Sequence, residues 1–149
     1  MDSVRELLRQ VWEGDDFASP TELLSKIPAA TAVRIPASAP YPIATNVAHA
    51  DIWQRLWLAN LKGERKFNPF PDFREVAARD WDCLRAAFLA NFAMAIELAY
   101  SEPFIHHSRT DIAARKLLTK IAVHNAYHLG QVALLKRILR SQRRASSSD

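Results

Sequence analysis

A chain of 149 residues that is 49% hydrophobic and 24% charged has the size and composition of one soluble globular domain. Its 3 glycines (Gly14, Gly63, Gly130) do not cluster, which excludes a dinucleotide-binding turn and a phosphate loop, and its 1 cysteine, Cys83, excludes a disulfide framework and a cysteine-rich zinc site. The net charge of +4 gathers at one end: of 20 Lys/Arg and 16 Asp/Glu, residues 109–149 hold nine and two.

Val4, Leu7, Leu8 and Val11 recur at helical spacing, so a first helix is expected over Val4–Trp12, stopped by Gly14. Ser19-Pro20-Thr21-Glu22 is a helix start: Ser19 as cap, Pro20 in the first turn, Glu22 as capping-box partner. That helix carries Leu23, Leu24 and Ile27 and ends near Pro28. Prolines 28, 36, 40 and 42 make residues 28–43 a stiff, irregular crossover. A long helix then runs from Ile43 to Leu61, with Ile52, Trp53, Leu56, Trp57 and Ala59 on its apolar face and Gly63 closing it. Glu64–Pro71 is a second connection. Asp72 is the expected cap of a helix reaching Tyr100, with the stripe Ala77, Trp81, Leu84, Phe88, Phe92, Ala95 and Ala99. Cys83 lies off that stripe and reads as inert packing. Pro103 ends the helix, and a last one spans about Thr110 to Arg140. No segment alternates with period two. The pattern predicts an all-α fold, a four-helix bundle with a long crossover rather than simple up-down order. Residues 1–141 form its single domain and residues 142–149 a flexible polar tail.

The basic end reads as dipole complementation and a solvated tail, so no nucleic-acid partner is expected. No run of eighteen apolar residues marks a membrane span, and Met1-Asp2-Ser3 begins no signal peptide, which makes the cytoplasm the expected compartment.

The last helix carries the chemistry. Its heptad seam reads Leu117, Ile121, His124, His128, Gln131, Leu135, Ile138: apolar at both ends, polar in the middle. Positions four apart differ by only about 40° around a helix and rise about 6 Å, so both imidazoles point inward one turn apart. This spacing offers two nitrogens to one metal ion, and it equally serves two neutral imidazoles that hydrogen-bond. His49, in Asn46-Val-Ala-His49-Ala-Asp-Ile52-Trp53, is another polar interruption of an apolar stripe. Packed opposite His124 and His128, it would complete a three-nitrogen site with a position left for water or substrate. Burying three imidazoles without partners is costly, and coordination satisfies one nitrogen on each. Asp51 falls on another face and is not taken as a ligand. Gln131 is placed either to orient a water or ring beside the site or to bond across the seam. His106 and His107 read as exposed loop residues, and Trp53, Trp57, Trp81 and Tyr127 as core aromatics rather than pocket walls. Gly130 lies mid-helix, where it costs about 1 kcal/mol against alanine, and its expected use is a close approach beside the site.

Val47-Ala-His49 with Ile52-Trp53, and His124-Asn-Ala-Tyr-His128-Leu-Gly130-Gln131, give the chain its resemblance to the DinB/YfiT-like family. The resemblance implies a four-helix bundle, often a homodimer, with a divalent metal, nickel or zinc, on His49, His124 and His128. Relatives include thiol-dependent transferases and isomerases that use small thiols such as bacillithiol or mycothiol, and hydrolases. The expectation is therefore a metal-dependent enzyme with thiol S-transferase-like or hydrolase-like chemistry on a small molecule. The alternative is a non-catalytic metal-binding stress-response or structural dimeric bundle. No protein nucleophile or general base stands out, so no catalytic residue is assigned.

Overall fold

Apolar residues at three- and four-residue steps leave helix as the regular structure, and the computed structural model, which describes residues 2–146, has no strand among those residues. The helices are α1 (Ser3–Glu13), α2 (Pro20–Ser25), α3 (Ala29–Ala32), α4 (Ile43–Lys62), α5 (Trp81–Tyr100) and α6 (Asp111–Ala145). α1 packs on α5 and α6, and α4 packs on the same two, so α1 and α4 stand at opposite corners of a four-helix bundle. The proline-rich crossover, with α2 and the single turn of α3 inside it, carries the chain between those corners.

The punctuation residues act locally as their chemistry dictates. Ser19 accepts the Glu22 N–H and the Glu22 carboxylate accepts the Ser19 N–H, a complete capping box. Gly14 and Gly63 end α1 and α4 at φ of 77° and 69°, a region open to glycine. At Gly63 a Cβ would also lie 2.6 Å from the His107 ring.

Four expectations differ. Asp72 does not cap α5, which begins at Trp81 after a 3₁₀ turn at Ala78–Asp80. The Asp72 carboxylate is engaged by side chains of α4 instead. α6 continues to Ala145, so residues 142–145 are helix rather than tail; Arg143 and Arg144 sit in its last turn, where cations suit the dipole. Residues 147–149 of the expected tail lie outside the described residues. The deepest stripe of α6 is Leu118, Ile121, Asn125, Val132, Leu135 and Leu139, offset from the predicted seam, and Leu117, His124, Gln131 and Ile138 flank it half-buried. Cys83 is exposed, not packed.

Trp81, Phe88 and Phe92 fill the centre, and the Trp81 indole N–H donates to the Ile27 carbonyl at 2.9 Å, tying the crossover to α5. Ala78–Tyr100 is long and apolar enough to cross a membrane by length and composition alone, a feature that counting uninterrupted apolar residues did not flag. Its large side chains Trp81, Phe88 and Phe92 lie in the bundle core.

Between α4, α5 and α6 runs a buried polar chain. Asn125 donates to Gln54 Oε1 at 2.8 Å. Gln54 donates to the Phe88 carbonyl at 2.9 Å and to Asp51 at 3.2 Å. Asn91 completes it with a 2.9 Å bond to Asp51. In a low-dielectric core such bonds are strong and directional, so they fix the rotation of α6 against α4. Asn125 lies between His124 and His128, and the same bonds therefore aim both imidazoles. Asp51 faces away from the histidines, as its position in the helix predicted.

Gly130 is exposed, with nothing within 4 Å of where a Cβ would sit, so it serves no close approach inside the chain. Gly130→Ala is expected to stabilise the protein by about 1 kcal/mol through helix propensity, read as a raised midpoint in urea unfolding. A lowered midpoint would show that another surface closes on this point.

Candidate metal centre

His49 on α4 and His124 and His128 on α6 meet where these two helices pack together. Their ring centroids lie 5.1 Å (49–124), 4.5 Å (49–128) and 4.4 Å (124–128) apart. One donor nitrogen from each falls within 4.8 Å of the others. His49 and His128 are 8% and 4% exposed, and His124 is half-buried.

The partners of the second ring nitrogens set the tautomers. His49 Nδ1–H donates to Asp72 Oδ1 at 2.5 Å, and His128 Nδ1–H donates to Asn46 Oδ1 at 2.5 Å. Asn46 returns a bond from Nδ2 to the His128 backbone carbonyl at 3.0 Å. An acceptor oxygen at Nδ1 holds the proton there and leaves the Nε2 lone pair facing the cluster, the arrangement that orients metal-binding imidazoles. His124 differs: its Nδ1 is buried with no hydrogen-bond partner among the described residues.

Two explanations of the cluster can be weighed on distance. His49 Nε2 and His124 Nε2 are 3.1 Å apart. Nitrogens about 2.05 Å from one ion are separated by about 2.9 Å at a right angle and about 3.3 Å at the tetrahedral angle, so the spacing fits two ligands of one ion. It also fits an imidazole–imidazole hydrogen bond, but that bond engages only two of the three rings. Three imidazole nitrogens within 4.8 Å of one another could hold one ion together.

Burial, reinforced by the neighbouring imidazoles, holds His124 down to a pKa of about 4 and His128 down to about 3. Both rings are neutral at pH 7, the form that ligates. The same shifts set a pH dependence in metal-free protein. An unfolded histidine titrates near 6.5, so below that value the unfolded chain binds protons that the folded one refuses. Stability is expected to be level above pH 6.5 and to decline as pH falls toward 4 and then 3, checked by thermal melts in chelator. A melting temperature that rises on acidification would contradict it.

Aromatic side chains wall the cluster. Phe73 stacks on His49 at 4.1 Å and 15°, and Tyr41 lies 5.1 Å from Phe73. Trp57 presents an edge contact to His124 at 5.1 Å, and Tyr127, 63% exposed, does the same to His128 at 5.1 Å. Trp53 donates Nε1–H to Asp72 Oδ1 at 3.0 Å. Of the four aromatics expected in the core, only Trp81 is fully buried there; Trp53, Trp57 and Tyr127 line the site. Gln131 accepts the Tyr41 hydroxyl at 3.3 Å and lies beside His128. His107 is exposed as expected, whereas His106 is half-buried against Phe104 and bonded to Asp111 at 2.8 Å. Asp72, Asn46, Phe73 and Tyr41 were not anticipated. Asn46 had a signal, a polar residue one turn before His49 in an apolar stretch; the loop residues had none.

A helical bundle that brings three imidazoles together from two helices, two of them braced by acceptor oxygens, fits a metal-binding all-α protein. The chain belongs to the DinB superfamily, whose family model matches residues 18–132, a span that holds all three histidines. No curated protein and no solved structure matches the chain.

Proposed function

We propose that the protein is a divalent-metal-dependent enzyme, with nickel or zinc on His49, His124 and His128, that performs thiol S-transferase-like or hydrolase-like chemistry on a small molecule in the cytoplasm. The observation that carries this reading is the convergence of three imidazoles with no carboxylate or thiol joining the cluster among the described residues. On these three histidines a divalent ion would supply a lowered pKa to a thiol or water beside it. The chain's own residues do the rest. Asp72 and Asn46 hold the rings of His49 and His128. Trp53, Trp57, Phe73 and Tyr127 offer apolar, partly exposed walls suited to an apolar or aromatic substrate group. Val123, Tyr127 and Leu134 are large apolar side chains exposed on α6, which supports a homodimer.

Cobalt-substituted protein tests the open position. Addition of β-mercaptoethanol or azide is expected to change the visible spectrum. An unchanged spectrum would favour the second reading, a non-catalytic metal-binding bundle, which the stacking of Phe73 over His49 supports by covering one side of the cluster.

A further inference from the structure

Dipole complementation does not account for where the C-terminal cations point. Lys136, Arg140 and Arg143 are spaced i, i+4, i+7 and so share one stripe of α6. Opposite them the crossover brings Lys26, just past α2, and Arg34, just past α3. These five cations line one open groove of about 240 Å³ whose apolar floor includes Ile27 and Leu139. Among the described residues no carboxylate lines it. Lys26, Arg34, Lys136 and Arg140 form no ion pair among the described residues.

Two of the cations are aimed. Lys136 Nζ donates to the Leu23 carbonyl at 2.5 Å, and Arg34 Nη2 donates to the Leu139 carbonyl at 3.4 Å. Bonds to backbone carbonyls fix direction without neutralising charge. Like charges four apart on a helix repel, and burial together with Arg140 lowers the pKa of Lys136. The groove therefore carries a repulsion that an anion would relieve. Arginine forks and lysine ammonium groups together match phosphate oxygens. The groove is short and concave, which suits a compact anion; a duplex needs an extended basic track. Lys136 lies eight residues beyond His128, about 12 Å along the helix, so this is a place apart from the histidine cluster.

We propose that this groove is a second binding site, for a small phosphate-bearing polyanion. Inorganic pyrophosphate is the probe, titrated into ¹⁵N-labelled full-length protein as purified. Saturable shifts are expected at Lys26, Thr31, Arg34 and residues 136–143. Lys26→Gln/Arg140→Gln replaces two exposed side chains, so the melting temperature should hold while affinity falls at least about tenfold. Equal affinity in that variant, or shifts centred on the histidines, would overturn the proposal. Parallel arms with duplex DNA and with phosphatidylglycerol vesicles identify other sources of phosphate. Retention of either without pyrophosphate binding would also overturn it, giving the groove to a macromolecule or a membrane surface.

Discussion

His124→Ala is expected to strip the protein of its divalent metal while leaving the bundle folded. His124 is the histidine whose loss disturbs the scaffold least. It is half-buried, and its Nδ1 has no partner to be orphaned. His128→Ala would instead leave the Oδ1 of fully buried Asn46 without its donor, at a cost of roughly 1–3 kcal/mol. The metal, by contrast, loses one of three nitrogens in either variant. Outer partners of a metal ligand are worth about 10–100-fold in affinity, so removal of the ligand itself should exceed about 100-fold. Metal content of untagged protein should fall from about one per chain to a small residue in His124→Ala, with the melting temperature in chelator unchanged. Full retention of metal by that variant would remove His124 from the site.

Asp72→Ala should weaken the metal by about 10–100-fold without removing it. One carboxylate oxygen accepts from both His49 Nδ1 and Trp53 Nε1, so it orients the His49 ring and fastens the 64–77 connection to α4. Asp72→Asn keeps an acceptor oxygen and loses the charge, and its loss of affinity should be the smaller of the two. Trp53 fluorescence supplies an independent readout, because its indole leaves the same oxygen when the carboxylate goes. If both variants bind metal as tightly as the parent while fluorescence changes, Asp72 fastens the loop and does not tune the ligand.

The two residues also mark how far local pattern reaches. The helices were legible because each buries apolar side chains at its own period, and the capping box at Ser19 and the stops at Gly14 and Gly63 need only neighbouring residues. His49, His124 and His128 were legible for the same reason: each breaks an apolar stripe, and their faces follow from helix geometry. Asp72 was not. Next to a helix it has the chemistry of a cap, and only the folding of its connection onto α4 takes it to an imidazole 23 positions earlier in the chain. Trp53 and Trp57 were misplaced because helical spacing assigns a side chain to a face and does not say whether that face meets a neighbour or a cleft. The seam of α6 was offset because Asn125 enters the core through a bond to Gln54, which apolar periodicity does not register. The cations of the C-terminal groove show the same limit, since Lys26 and Arg34 join Lys136 and Arg140 only through the crossover.

Anomalous scattering collected at the nickel and zinc edges, from crystals of untagged protein grown without added metal, gives element and ligands together. One divalent ion about 2.0–2.1 Å from a nitrogen of each of His49, His124 and His128 is the result expected. An anomalous peak elsewhere, or none beside these imidazoles in protein that binds no metal in solution, would contradict it.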